Sequence, residues 1–191
     1  MRLKKVDRRY VTTDKRIIEA FWDLLAEVGY QKVSVSAIVK HAAINRSTFY
    51  EHFLDKEDLM ASIQTELIRQ VIADLPEVTI YKLTDKSLIE ARLNLLFKGI
   101  YDRKKAFKLL LSQQSDGLFV GRFASFSKQF LIDAKLIDAI DIPEDYVFSI
   151  FESMMFNLIK TWIERDFIET PEAFSKIVGR VTPKLMQLLI S

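Results

Sequence analysis

The chain has 191 residues, 49% of them apolar and 28% charged, with a net charge of +2 and no cysteine. This is enough for one large domain or two small ones, and it excludes a disulfide framework, a thiolate metal site and a cysteine nucleophile. With only 5 Gly and 4 Pro, no alternating β-branched runs, no apolar run of the ~18 residues a membrane span needs and no signal-peptide core, an all-α, cytoplasmic protein is expected.

Residues 1–12 lack a period and read as a mobile arm. Residues 1–16 carry 7 Lys/Arg against 2 Asp/Glu, and residues 1–56 carry 11 against 7, whereas residues 57–191 carry 17 against 19. Such an arm suits phosphate contact and equally suits a solvated terminus. Thr13 or Asp14 can cap the first helix, whose apolar face is Ile17, Ile18, Phe21, Leu24, Leu25 and Val28. Gly29 is read as a left-handed stop. Ser34 or Ser36 opens a second short helix through Ala42, and Asn45 opens a third through Phe53. Asp55 begins a fourth, with Glu57 and Asp58 in the first turn, where the helix dipole favours negative charge. Leu59, Ile63, Leu67 and Val71 give it a buried face up to Leu75, and Pro76 follows. At roughly 20 residues it is about 30 Å long, a connector from a small N-terminal unit to the rest.

Five further helices complete an expected nine. Leu88, Ile89, Leu93, Leu96, Phe97 and Ile100 mark the fifth; Ala106, Leu109 and Leu110 the sixth; Phe119, Phe123, Phe126 and Phe130 the seventh. Pro143 starts the eighth, with Tyr146, Ile150, Phe151, Met154, Leu158 and Trp162. Thr170-Pro171-Glu172 starts the ninth, which Pro183 is expected to kink or break.

Chemistry concentrates in Ser34–Leu59. The DNA major groove is roughly 12 Å wide and admits one helix. Such a helix needs an apolar side toward its own domain and short hydrogen-bonding groups toward the bases. Phe49 and Phe53, spaced i, i+4, supply the first; Arg46, Ser47, Thr48, Tyr50 and His52 supply the second. Arg can pair with guanine, Ser and Thr reach bases or phosphates, and Tyr and His hold phosphates. Lys56 follows the helix, placed to reach the backbone, and Ser34 can offer its hydroxyl and free amides to a phosphate. Each has a plainer reading: Ser34 as a helix cap only, Tyr50 and His52 as packed side chains, Lys56 as a solvated lysine.

Ser34, Ile38, Ala42-Ala43-Ile44, Thr48-Phe49-Tyr50-Glu51-His52-Phe53 and Lys56-Glu57-Asp58-Leu59 match, at fixed spacing, the N-terminal domain of the TetR family of bacterial transcription regulators, which residues 13–60 resemble. The resemblance implies phosphate contacts at Ser34 and Lys56, base-facing roles for Arg46, Ser47 and Thr48, and phosphate or base-step contacts at Tyr50 and His52. It also implies a homodimer on a palindromic double-stranded operator, its recognition helices ~34 Å apart. Ala43 stands where the family often has Gly, and Val39 replaces a commoner Ala.

The resemblance implies a helix-turn-helix domain over 1–56 and a helical effector-binding and dimerisation domain over 57–191, joined by helix four (56–75). Phe151, Met155, Leu158, Trp162, Phe174, Val178 and Val181 are then dimer-interface residues, since helix eight is apolar over more than one face. Phe119, Phe123, Phe126 and Met154 line an expected pocket for a small apolar or aromatic effector, or are simply core. Trp162–Phe167 and Tyr101-Asp102-Arg103 resemble a Firmicutes-type C-terminal subgroup that includes dihydroxyacetone-kinase-linked regulators. The alternative reading is accordingly a co-activator whose C-terminal domain receives a protein partner. No cofactor, metal or membrane partner is expected. An enzyme is not expected, because both histidines lie in the helix-turn-helix segment and no phosphate loop or metal spacing occurs.

Overall fold

Helices account for most of the residues described by the computed structural model, which are 8–76, 86–133 and 142–190. In chain order they are α1 (Arg8–Val28), α2 (Val35–His41), α3 (Arg46–His52), α4 (Lys56–Ile72), α5 (Lys86–Asp102), α6 (Lys104–Leu110), α7 (Phe119–Asp133), α8 (Glu144–Glu164) and α9 (Pro171–Ile190). A 3-10 turn, Tyr30–Lys32, separates α1 from α2. No helix among the described residues is long and apolar enough to cross a membrane. The expected arm up to residue 7, and the side chains of Phe130 and Pro183, lie outside the described residues.

The chain divides into two compact units. The first holds the residues up to Glu66 together with Ser112–Gly117; the second holds Leu67–Leu111 and Leu118 onward. The division thus falls within α4, which crosses it without a break. The core of the first unit is Ile17, Phe21, Leu25, Ile38, Phe49, Leu59 and Met60, all fully buried. Ser112–Gly117 is tied into it by hydrogen bonds. Tyr30 N–H donates to Gln114 O at 2.8 Å, and the buried Gln64 donates from Nε2 to Asp116 Oδ1 at 2.8 Å.

Three local expectations are corrected. Helix α1 begins at Arg8, because its first turns have partners on α3. Gly29 has φ 77 and ψ 154, so it is not in the left-handed helical region. It lies in a mirror-extended region that is essentially glycine-only. Helix α9 continues through Pro183 to Ile190. Upstream of it Phe174 and Val178 are buried, and the helix is not broken although proline cannot donate its hydrogen bond.

The second unit is centred on Trp162. Its indole stacks on Phe174 at 4.4 Å and meets Phe167 edge-on at 4.8 Å, and Nε1–H donates to Glu169 O at 2.9 Å. Met155, Trp162, Phe174 and Val178 were expected at a dimer interface. Each is at most 6% exposed within a single chain. Phe151 and Leu158 are half-buried, and Val181 is exposed.

Candidate nucleic-acid interface

Helix α3 has seven residues, well short of the ~12–15 at which an isolated helix becomes even marginal. Its start is fixed by Asn45. The Asn45 Oδ1 accepts the Thr48 backbone N–H and the Ser47 hydroxyl, both at 2.7 Å, satisfying a donor that the helix cannot satisfy internally. Phe49 is fully buried and Phe53 is nearly so, so the i, i+4 apolar pair anchors one side. Arg46, Ser47 and Tyr50 are exposed and Thr48 is half-buried. Arg46 lies beside Tyr50, donating from Nη2 to the phenol oxygen at 3.4 Å. These four side chains form one polar surface on a helix of groove-entering size.

Ser34 caps α2. Its hydroxyl oxygen accepts the Ala37 N–H at 3.2 Å, and the residue remains exposed. The turn from α2 to α3 passes through Ala43, which has φ 49. Arg16 holds that turn, donating from Nη2 to Ala42 O at 2.6 Å and to Ala43 O at 2.9 Å. Sequence reasoning missed Arg16, because its partners are backbone carbonyls that no side-chain pattern announces.

His52 and Lys56 are not placed as the sequence suggested. The His52 side chain is only 3% exposed. Its Nδ1 lies 2.5 Å from Asp14 Oδ1, and its ring stacks on Tyr10 at 4.0 Å. Lys56 turns inward, donating to Tyr30 O and Val33 O, both at 3.1 Å, with its ammonium 4.4 Å from the Tyr30 ring centroid. It joins the start of α4 to the segment before α2. Burial, followed by the nearby Glu57 carboxylate, pushes the Tyr30 hydroxyl far above its ordinary value.

Of the four expected effector-contacting residues, Phe119 and Phe123 are brought together with Phe107, Leu111, Phe156 and Ile159 around a cleft of about 10 Å³. That is room for about one water molecule. Phe126 and Met154 are half-buried and are not among the residues that line it.

A short helix capped at its start, anchored by two phenylalanines and carrying an exposed Arg/Ser/Thr/Tyr surface, defines a helix-turn-helix protein. Residues 17–63 match the model of the bacterial regulatory proteins of the tetR family, and residues 89–184 match that of a transcriptional regulator C-terminal region. The chain therefore belongs to the TetR family of transcriptional regulators.

Among curated relatives, it is 36% identical over 73 residues to an uncharacterised HTH-type transcriptional regulator, YxbF, of Bacillus subtilis, covering 38% of this chain and 19% of that protein. It is 36% identical over 67 residues to the dhaKLM operon transcriptional activator DhaS of Lactococcus lactis, 35% of this chain and 36% of that protein. A fatty acid metabolism regulator protein of B. subtilis is 37% identical over 71 residues, 37% of each chain. The chain thus spans from about a fifth to a little over a third of the length of these relatives. Among solved structures, a TetR transcriptional regulator from Streptococcus agalactiae superposes with a TM-score of 0.69 at 26% identity, over 91% of this chain and 95% of that one. The dihydroxyacetone kinase operon activator DhaS shares the fold, with a TM-score of 0.63 at 20% identity, over 95% of this chain and 99% of that one.

Proposed function

We propose that this chain represses transcription as a homodimer by binding a palindromic DNA operator, and that a small apolar or aromatic effector bound in the C-terminal domain (57–191) releases it. The observation that carries the reading is the polar surface of α3. Arg46, Ser47 and Tyr50 are exposed and Thr48 is half-buried, while Phe49 and Phe53 anchor the helix. In this reading Arg46, Ser47 and Thr48 read base edges, Tyr50 contacts the sugar-phosphate backbone, and Ser34 presents the start of α2 to a phosphate. The dimer forms through outward-facing positions of α8 and α9: Tyr146 and Ile150 on the first, Ile177 and Val181 on the second, all exposed in one chain. Phe151 and Leu158 flank that face.

Helix α4 is the proposed route from effector to DNA. Leu59, Met60 and Ile63 are buried in the first unit. Beyond Glu66 the helix is held by α5. A Cβ added at Gly99 would stand 3.3 Å from the Val71 side chain, and Arg103 donates from Nε to Gln70 Oε1 at 3.2 Å and from Nη1 to Gly99 O at 3.2 Å. An effector that wedges the Phe119–Phe123 cleft open moves α5 and hence α4.

The test is selection of duplexes by the purified protein from a random-sequence pool. Enrichment of an inverted repeat is expected. Arg46→Ala should then relax specificity at one position in each half-site by about 1–3 kcal/mol. A parent protein that enriches no sequence would sink the reading.

A further inference from the structure

The sequence suggested that His52 touches DNA, but the structure leaves almost none of its side chain available to do so. The ring lies between two residues of α1. Tyr10 stacks on it at 4.0 Å with 22° between the planes, and Asp14 Oδ1 lies 2.5 Å from Nδ1. The Tyr10 hydroxyl also donates to the backbone carbonyl of Glu51, the preceding residue, at 3.5 Å. All of these contacts fall on the last turn of α3, whereas the Asn45 cap fixes its first turn. Phe49 and Phe53 anchor one side of this seven-residue helix, and the contacts from α1 hold its last turn on another side, where a short helix frays most readily. Tyr10 and Asp14 are one turn apart on α1, so they grip the end of α3 as a pair.

We propose that Tyr10 and Asp14 are positioning residues for the recognition helix, and that His52 acts through this clamp and not by contacting a phosphate. The clamp sets the angle at which Arg46, Ser47, Thr48 and Tyr50 meet the groove. It also gives the start of α1, which reads in the sequence as part of a basic arm without a period, a part in specific binding. The inference rests on the DNA-binding reading above.

Charge gives the two roles opposite signs at Asp14. Removing a carboxylate beside a DNA-binding surface strengthens phosphate attraction. Removing a positioning carboxylate weakens specific binding despite that gain. The experiment measures affinity for a duplex selected by the parent protein, and for a duplex of unrelated sequence, using Asp14→Ala, Asp14→Asn, His52→Ala and the Asp14→Ala/His52→Ala double variant. Asp14→Ala should bind the selected duplex about tenfold more weakly or worse, with unrelated DNA bound as well as before or better. Asp14→Asn keeps an acceptor oxygen for Nδ1–H and should recover most of the affinity. The double variant should be little weaker than either single one, as coupled residues require.

Additive losses, or an Asp14→Ala protein that binds the selected duplex at least as well as the parent, would overturn the clamp while leaving the DNA-binding function standing. A parent protein that selects no duplex would overturn that function instead. Thermal unfolding of each variant separates a loosened α3 from an unfolded chain. Asp14→Asn supplies the comparison if Asp14→Ala does not fold.

Discussion

Replacing Ala43 by glycine should stabilise the protein, although it removes a methyl group. The residue has φ 49, a left-handed conformation that costs an L-residue with a Cβ roughly 1–2 kcal/mol. Glycine removes that cost but gives the unfolded chain more freedom to lose, a penalty of about 0.4–1 kcal/mol. Ala43 is exposed, so little packing is forfeited, and the net gain is about 0.5–1 kcal/mol. In a chain of 191 residues that raises Tm by roughly 1–3 °C. Gly29→Ala is the opposite case. Its φ is 77, and an added Cβ would meet nothing closer than 3.8 Å, so the penalty is conformational and steric crowding does not enter. A loss of about 1–3 kcal/mol is expected. Urea unfolding of both variants beside the parent, followed by helical circular dichroism, reads both signs. An Ala43→Gly midpoint at or below that of the parent would refute the argument, since the two Arg16 hydrogen bonds to this turn would then hold it without strain.

Lys56→Ala should lower stability by about 1–2 kcal/mol for the lost bonds to Tyr30 O and Val33 O; unchanged urea unfolding would show that those bonds contribute nothing. Trp162→Ala should cost about 3–5 kcal/mol through the cavity left in the aromatic core, whereas Ile177→Arg/Val181→Arg should leave Tm nearly unchanged and yield monomers by light scattering. A double-arginine variant that remains dimeric would show that the interface lies elsewhere. The raised Tyr30 value means that the folded state holds this proton more tightly than the unfolded one. Its contribution to stability is therefore complete below about pH 10 and is lost as pH rises above it. Tyr30→Phe should flatten that alkaline decline, and a parent whose urea midpoint is the same at about pH 9 and about pH 11 would contradict it.

What could be read in the sequence was what depends on near neighbours. The i, i+4 pair Phe49 and Phe53, the Asn45 cap and the acidic first turn of α4 are local patterns with local causes, and the structure reproduces them. His52 and Lys56 owe their positions to distant partners. Asp14 lies 38 residues before the histidine it holds, and Lys56 serves carbonyls 26 and 23 residues earlier. The inclusion of Ser112–Gly117 in the first unit depends on Gln64 and Tyr30, which share no sequence pattern with it. Trp162 and Phe174 illustrate another limit. An apolar residue on a helix face has the same signature whether it meets its own chain or a second copy, and only burial within one chain separates the two.

A recognition helix of seven residues also divides the work of binding in a way its sequence hides. Arg46 and Tyr50 bond chiefly to each other, so substituting them leaves the hydrogen bonds that support α3 in place: in the proposed binding mode Arg46 changes what is read and Tyr50 how tightly the backbone is held. Ser47 is different. Its hydroxyl donates to the oxygen that caps the helix, so a change there disturbs the start of α3 as well as the surface it presents. Arg16, Tyr10 and Asp14 lie at the other extreme, holding the turn and the far end of α3 from α1. In the proposed binding mode, altered specificity is therefore reached most directly at Arg46, whereas substitutions on α1 should weaken every sequence that depends on the angle of α3.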